Sequence, residues 1–311
     1  MTRDNPRNDT GRESVERNIK HCYSTWGTSY YSDYYGADAP YPPVHLDLAK
    51  RLVAERGVKR LLDAGCGPAS MLRHFVAPGR EVYGFDLTPE MVAEARRVLA
   101  ETGVAPDHVW DGSVAVGADF AAPTGKAEYD CVLCCGVMPH IPEEIETDVI
   151  ENIHRSLQPG GYAIVEARNE LFSMFTLNRY SHEFYLKQLL PIDELEKRAA
   201  DEREGLKTAL AQVEGMFRTD LPPIRQGKEN EPGYDEVLSR THNPLLLQQR
   251  FLAGGFRDVQ LHYYHFHCLP PMASGHAPRL FREVSLEMEA NPQDWRGLFM
   301  ASAFFVVAQR A

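Results

Sequence analysis

The chain has 311 residues, 43% hydrophobic and 25% charged, with a formal net charge of −11. That is a globular composition, and so acidic a balance argues against a protein that tracks nucleic-acid phosphates. No apolar run approaches the roughly 20 residues that span a bilayer, so a cytoplasmic protein without a membrane span is the expectation.

The N-terminus, MTRDNPRNDTGRESVERN, is polar and lacks the apolar stretch of a signal peptide, and it reads as a disordered lead-in of about 15 residues. Next comes an aromatic segment with Tyr23, Trp26, Tyr30, Tyr31, Tyr34 and Tyr35. From residue 44 short apolar runs alternate with helical patterns. VHLDLAKRLVAER predicts a helix, RLLDA (60–64) a buried strand, ASMLRHFVA a helix and EVYGF (81–85) a strand. PEMVAEARRVLAETG predicts a helix with Pro89 in its first turn and Gly103 closing it. HVW (108–110) follows as a strand, and YDCVLCC (129–135) is apolar throughout, as in parallel sheets. PEEIETDVIENIHRSLQPGG predicts a helix stopping at Pro159, before the strand YAIVEA (162–167). Five such βα repeats imply a doubly wound parallel sheet with right-handed crossovers.

The regularity breaks over 168–240. There PIDELEKRAADEREGLKTALAQVEGMF predicts one charged helix with Leu206, Leu210, Val213 and Phe217 on a stripe, followed by the Pro-rich LPPIRQGKENEPG. The pattern then resumes with a helix (NPLLLQQRFLAGGF), a strand (258–269), a helix (APRLFREVSLEMEA) and a final strand (299–310). A structureless loop of roughly 70 residues is improbable within a compact domain, so the insertion is expected to be a helical cap. The expected fold is a Rossmann-like, seven-stranded doubly wound sheet with this cap after strand five. Its predicted parts are a tail and aromatic lid (1–43), a core (44–167 and 241–311) and the cap (168–240). Six cysteines in so long a chain do not make a disulfide framework, and reduced thiols are expected.

The chemistry begins at LLDAGCGPAS (61–70). Asp63, Gly65, Cys66 and Gly67 sit at the carboxyl end of the first strand, where open α/β sheets bind ligands. The loop lacks the third glycine of a dinucleotide site and the Lys-Ser/Thr pair of a triphosphate site. Strand two ends in Asp86, placed to accept both hydroxyls of a ribose, with Leu87 and Met91 as apolar neighbours for a purine. Strand three ends in Asp111-Gly112-Ser113, where an acid can accept from an exocyclic amine. Together these describe a nucleoside whose 5′ substituent needs close backbone contact but no phosphate clamp.

With LLDAGCGPAS, GFDLTPEM, YDCVLCCGVMPHIP and SLQPGGYAIVEA in this order and spacing, the sequence resembles the class I S-adenosylmethionine-dependent methyltransferases over 44–167 and 244–311. The resemblance implies a methyl donor with its amino-acid part near Gly65 and Cys66, its ribose on Asp86, its adenine at Asp111 to Ser113 and its sulfonium near Cys135. It implies too that Tyr23 and Tyr31 close over the donor.

Two acceptor chemistries fit. The segment leaving strand five combines Glu170 and the cations Arg168 and Arg179 with Asn169, Phe172, Phe175 and Tyr180. Aromatic faces stabilise cations and arginines bind phosphate. That set suits C-methylation of a prenyl diphosphate, a terpenoid or secondary-metabolite chemistry, with Glu170 as the base and magnesium assisting the diphosphate. It weakly resembles bacterial prenyl-diphosphate C-methyltransferases. Arg225, Arg240 and His242 are further anchors for an anionic acceptor. The alternative is O- or N-methylation of a hydroxylated metabolite or sugar, with His140 in GVMPHIP as base. Outside the enzymes stands a non-catalytic nucleoside-binding protein. No metal site is expected from CVLCC or LHYYHFHC, whose strand geometry scatters their ligands over two faces. A homo-oligomer is left open.

Overall fold

A computed structural model describes residues 9–24, 42–125, 128–220 and 237–311. The aromatics from Trp26 to Tyr35, Tyr31 among them, and Arg225 lie outside the described residues.

The strands are β1 (Arg60–Ala64), β2 (Glu81–Asp86), β3 (Val109–Asp111), β4 (Tyr129–Cys134), β5 (Leu157–Arg168), β6 (Phe256–Phe266) and β7 (Ala301–Arg310). They form one seven-stranded sheet in the order β3-β2-β1-β4-β5-β7-β6. From β3 to β5 every pairing is parallel, as expected, with Asp63 in register with Gly84 on one side and Leu133 on the other. β7 runs antiparallel to β5, so the parallel reading of the five βα repeats does not extend to the last strand. Residues 303–308 are buried on both faces, so no alternation in the sequence carried the strand's direction. Strand order reverses between β1 and β4, the switch point outside which open sheets bind ligands.

Helix α1 (Asp9–Tyr23) occupies much of what reads as a lead-in. Its less exposed positions, Arg12, Val15, Glu16, Asn18, Ile19, Cys22 and Tyr23, recur every three or four residues, and Cys22 is fully buried. The face is mostly polar, which hides it from a hydrophobicity reading. Helix α2 (Val44–Glu55) buries Leu46, Leu48, Ala49, Leu52 and Val53, and α3 (Pro89–Ala100) buries Met91, Val92, Ala95, Val98 and Leu99. ASMLRHFVA does not form an α-helix: Ala69 takes φ 58 and only a 3₁₀ turn, Leu72–Phe75, follows. Helix α4 (Glu146–Ser156) ends earlier than predicted, and the chain enters β5 at Leu157 through Pro159-Gly160-Gly161. A Cβ on Gly161 would come within 3.0 Å of the carbonyls of Gln158 and Tyr129, so a side chain there would push the two strands apart.

The described residues fall into two compact units, one with those up to Arg168, of 227–262 and of 303–311, the other with those of 169–226 and 263–302. The predicted division placed 263–302 with the core. In the second unit the predicted long helix is broken. Helix α5 (Arg179–Phe184) lies before it, and its span divides into α6 (Ile192–Arg198) and α7 (Arg203–Glu214), with Ala200 at φ 35 between them. Phe217 packs against Tyr185 at 5.2 Å, and His267 against Phe172 at 4.8 Å. Helix α8 (Pro244–Ala253) precedes β6, and α9 (Pro278–Met288) follows it.

Candidate active site

At the carboxyl end of β1 the chain turns through Gly65 at φ 86, and the amides of Gly65 and Cys66 both donate to the carbonyl of Phe85 on β2. A Cβ on Gly65 would lie 2.3 Å from Val137 Cγ2, so the loop after β1 and the loop after β4 fit together only because residue 65 has no side chain. At Gly67 (φ 52) and Gly136 (φ 73), by contrast, a Cβ would meet nothing within 4 Å. There bare backbone faces open space at the switch point, as close approach of a ligand requires.

Asp86 closes β2. Its Oδ2 accepts from the Gly67 amide at 2.8 Å and its Oδ1 from the Thr88 amide at 2.9 Å. The Thr88 side chain also hydrogen-bonds the carboxylate, and the acceptor capacity that remains suits a ribose hydroxyl. Burial raises its carboxyl above the usual range against the pull of these amides. Asp63 is 2% exposed, and among the described residues none donates a hydrogen bond to it. Burial, with Asp86 nearby, pushes its carboxyl up to about 7.

At β3 the Gly112 amide donates to the Asp86 carbonyl and the Ser113 amide to Asp119 Oδ2 at 2.8 Å. Ser113 Oγ donates to Glu16 Oε1 at 2.9 Å, and Arg12 pairs with the same carboxylate. Asp111 is exposed and Leu87 half-buried. Met91, expected beside a purine, is enclosed on the core face of α3. The Cys66 thiol also turns inward, against Gly84, so this residue offers the site its backbone. Cys135 is half-buried, and burial pushes its thiol well up, so it stands there neutral. Glu166 Oε2 accepts from the Gly136 amide at 3.0 Å and pins the loop after β4.

His140, 8% exposed, follows in a 3₁₀ turn (Met138–His140). Its Nδ1 is 2.6 Å from the Leu238 carbonyl and its Nε2 3.1 Å from the Tyr23 hydroxyl. A carbonyl only accepts, so Nδ1 carries the proton and Nε2 turns its lone pair toward Tyr23. The segment 238–242 laces this loop to β5: the Arg240 amide donates to Pro139 and the His242 amide to Arg168. Arg240 and His242, expected as anion anchors, are instead drawn to the fully buried Glu146 at 3.0 and 3.3 Å, with Arg250 at 2.6 Å. They are joined by sequence distance of about a hundred residues, which is why spacing did not couple them.

The expected acceptor residues divide. Arg168 ends β5 and donates to Ser239 Oγ. In the second unit the Asn169 amide group donates to the carbonyls of Gly297, Leu298 and Ala301 at 2.8–3.1 Å, and Oδ1 accepts from Leu171. That employment ties backbone together and leaves no N–H of the side chain for an acceptor. Glu170 and Phe172 bound a 3₁₀ turn, Arg179 begins α5, and Tyr180 is 38% exposed. Glu16, Asp119, Glu166 and Leu238 had no signal of their own, since each acts through a distant partner. Among the described residues no group of three or more His, Cys, Asp or Glu converges as a metal site, and no helix is long and apolar enough to cross a membrane. In LHYYHFHC the strand alternation fails at His265, which takes φ 55.

Residues 61–161 match the family described as "Methyltransferase domain". The chain is 31% identical over 163 residues to a ubiquinone biosynthesis O-methyltransferase of Xanthomonas axonopodis pv. citri, a match over 51% of this chain and 65% of that protein. Its counterpart in Xylella fastidiosa is 26% identical over 185 residues, 58% of this chain and 72% of that one. The chain thus spans about two thirds of the length of these relatives. In fold it is similar to the magnesium protoporphyrin IX methyltransferase of Synechocystis PCC 6803 with bound S-adenosylhomocysteine, at TM-score 0.50 and 14% identity over 96% of this chain and all of that one. The Haemonchus contortus phosphoethanolamine N-methyltransferase 2 complex with S-adenosylmethionine gives TM-score 0.50 at 13% identity, over 96% of this chain and 60% of that one. With the strand order, the glycine loop and Asp86 in place, the chain carries a class I S-adenosylmethionine-dependent methyltransferase domain.

Proposed function

We propose that the protein transfers a methyl group from S-adenosylmethionine to an oxygen of a small hydroxylated molecule, with Tyr23 and His140 as the proton-accepting pair. The donor supplies a methyl group made electrophilic by the sulfonium. The residues that would hold it are the backbone of Gly65 to Gly67, Asp63, Asp86, Leu87, the Asp111 to Ser113 turn and Cys135. Asp86 receives the ribose hydroxyls; the turn and Leu87 border the adenine.

The observation that carries the oxygen chemistry is the seating of His140. Leu238 fixes its tautomer, and its basic nitrogen faces a phenol rather than solvent. Both ring nitrogens are engaged, so a proton from the acceptor reaches Nε2 through the Tyr23 hydroxyl. The phenol gives its proton to Nε2 as it takes that of the acceptor, and the acceptor oxygen gains the electron pair that forms the new C–O bond. Positioning does the rest, since the displacement is in line. The O-methyltransferase relatives support this reading over C-methylation of a prenyl diphosphate with Glu170 and magnesium. The helical segments of 169–220 are proposed to serve acceptor recognition.

The test is a mass-spectrometric screen with S-adenosylmethionine against hydroxylated metabolites and prenyl diphosphates, reading the gain of one CH₂. His140→Ala and Tyr23→Phe are expected to lose turnover at least a hundredfold and keep S-adenosylhomocysteine binding, with Glu170→Gln active. Full activity of His140→Ala with a dead Glu170→Gln returns the function to carbon methylation. Wild type that binds neither S-adenosylmethionine nor S-adenosylhomocysteine leaves a methyltransferase fold without the activity.

A further inference from the structure

Asp63 has no part in the proton transfer above, yet it is the most completely buried carboxylate at the mouth of the sheet. Its 2% exposure and its lack of any hydrogen-bond donor among the described residues set it apart from Asp86, which holds two backbone amides, and from Glu166, which holds one. A buried acid without a donor is costly when ionised, so its charge has to be balanced by something that arrives.

The neighbours supply no such balance. From β2 stands Asp86, with Asp111 of β3 beside it in turn; from the loop, Cys66. From β4 and the residue after it stand Cys131, Cys134 and Cys135, all thiols raised by burial. From β5 Glu166 faces the same cysteines, and His45 of α2 stands beside it with its imidazole lowered by burial, hence neutral. Arg56 and Arg80 stand by Cys131, two residues back along β4 from Leu133, the register partner of Asp63. Among the described residues the groups named on the Asp63 side are acids, thiols or a neutral imidazole, and Arg168, which ends β5, gives its guanidinium to Ser239. The surroundings call for a cation, and the bare backbone at Gly67 and Gly136 gives it a way in.

We propose that Asp63 is the residue by which this site distinguishes the cationic methyl donor from its neutral thioether product, the sulfonium being taken up as Asp63 gives a proton to solvent. The inference rests on the reading of the site as one for S-adenosylmethionine. The exchange balances: a neutral carboxylic acid and a sulfonium become a carboxylate beside a sulfonium, with one proton released. After methyl transfer the ligand has lost its sulfonium charge, the reason for Asp63 to stay ionised is gone, and the acid takes a proton back. Product release and proton uptake are thereby coupled.

In the free protein Asp63 is protonated below about pH 7 and ionised above it. Binding of the cation requires the ionised form, so affinity for the donor rises with pH through that range. A group titrating near 7 is about one-tenth ionised at pH 6 and nine-tenths at pH 8, which makes the gain about tenfold.

The experiment is isothermal titration of the full chain with S-adenosylmethionine and S-adenosylhomocysteine at pH 6, 7 and 8. Buffers of different ionisation heat count the protons released. S-adenosylmethionine is expected to tighten about tenfold relative to S-adenosylhomocysteine between pH 6 and 8 and to release nearly one proton at pH 6. Asp63→Asn is expected to lose both the pH slope and the proton release. Equal proton release with the two ligands, or a pH slope that persists in Asp63→Asn, overturns the proposal. The proton count in wild type decides the matter even where Asp63→Asn does not fold. Failure of both ligands to bind wild type at every pH overturns the site reading instead, and is distinguishable from both.

Discussion

Glu146→Gln is the perturbation whose size the structure fixes best. The carboxylate is fully buried at the start of α4 and receives Arg250 at 2.6 Å, Arg240 at 3.0 Å and His242 at 3.3 Å. Burial alone would raise its carboxyl; hydrogen bonds and charge from His242 and Arg250 outweigh burial and hold it at about 2, against an ordinary 4.5. Each unit is worth 1.36 kcal/mol, so ionised Glu146 contributes about 3 kcal/mol at pH 7. Breaking a buried pair by neutralising one partner costs about 3–5 kcal/mol, in agreement. A depressed acid gives stability that is complete above its unfolded value and is lost as pH falls through its folded value. The advantage of wild type over Glu146→Gln should therefore be about 3 kcal/mol at pH 7, roughly half that at pH 3 and almost nil at pH 2. Urea titrations followed by tryptophan fluorescence and circular dichroism at the three pH values measure it. Glu143→Gln, whose carboxylate is 65% exposed, is the control and should cost under about 1 kcal/mol. A Glu146→Gln loss below about 1 kcal/mol, or one that does not shrink in acid, would refute the electrostatic account.

Three other outcomes test the site and its frame. Gly65→Ala drives a methyl group to 2.3 Å from Val137 and strains a φ of 86, so it should cost about 2–4 kcal/mol and weaken donor binding at least tenfold. Val137→Ala added to it should restore part of both, and no restoration would mean that backbone strain alone was at work. Asp86→Ala should lower S-adenosylhomocysteine affinity about a hundredfold by calorimetry, since ribose acceptor and loop anchor go together; undiminished binding counts against a ribose there. Asn169→Ala leaves three carbonyls of the second unit without their donor and should lower the melting temperature with a loss of about 2–3 kcal/mol. A raised KM at unchanged melting temperature would return Asn169 to the acceptor site.

Much of the frame was legible in local sequence. RLLDA, EVYGF and YDCVLCC announce buried parallel strands because each is a short apolar run closed by a polar or glycine turn, and the glycine loop with Asp86 about twenty residues on marks the switch point. Both signals are local, set by residue type and spacing. The helix at residues 9–23 escaped notice because its inward face is polar: Glu16 meets Ser113 and Tyr23 meets His140, about 97 and 117 residues away. ASMLRHFVA has the apolar content of a helix, yet Ala69 takes a left-handed φ and breaks it.

What the sequence by itself determined is the order of strands and loops, the turn at Gly65 and Gly67 after β1, and the place of Asp86 at the end of β2. Tertiary structure alone decided the direction of β7, the employment of Arg240 and His242 by Glu146, and the tautomer of His140. The physical reason is the same throughout. Propensity and burial patterns act over a few residues, whereas a carbonyl from residue 238 or a carboxylate from residue 146 acts only once the chain has folded back. Asp63 belongs to both: its place at the end of β1 is sequence, and the absence of a donor to it among the described residues is packing.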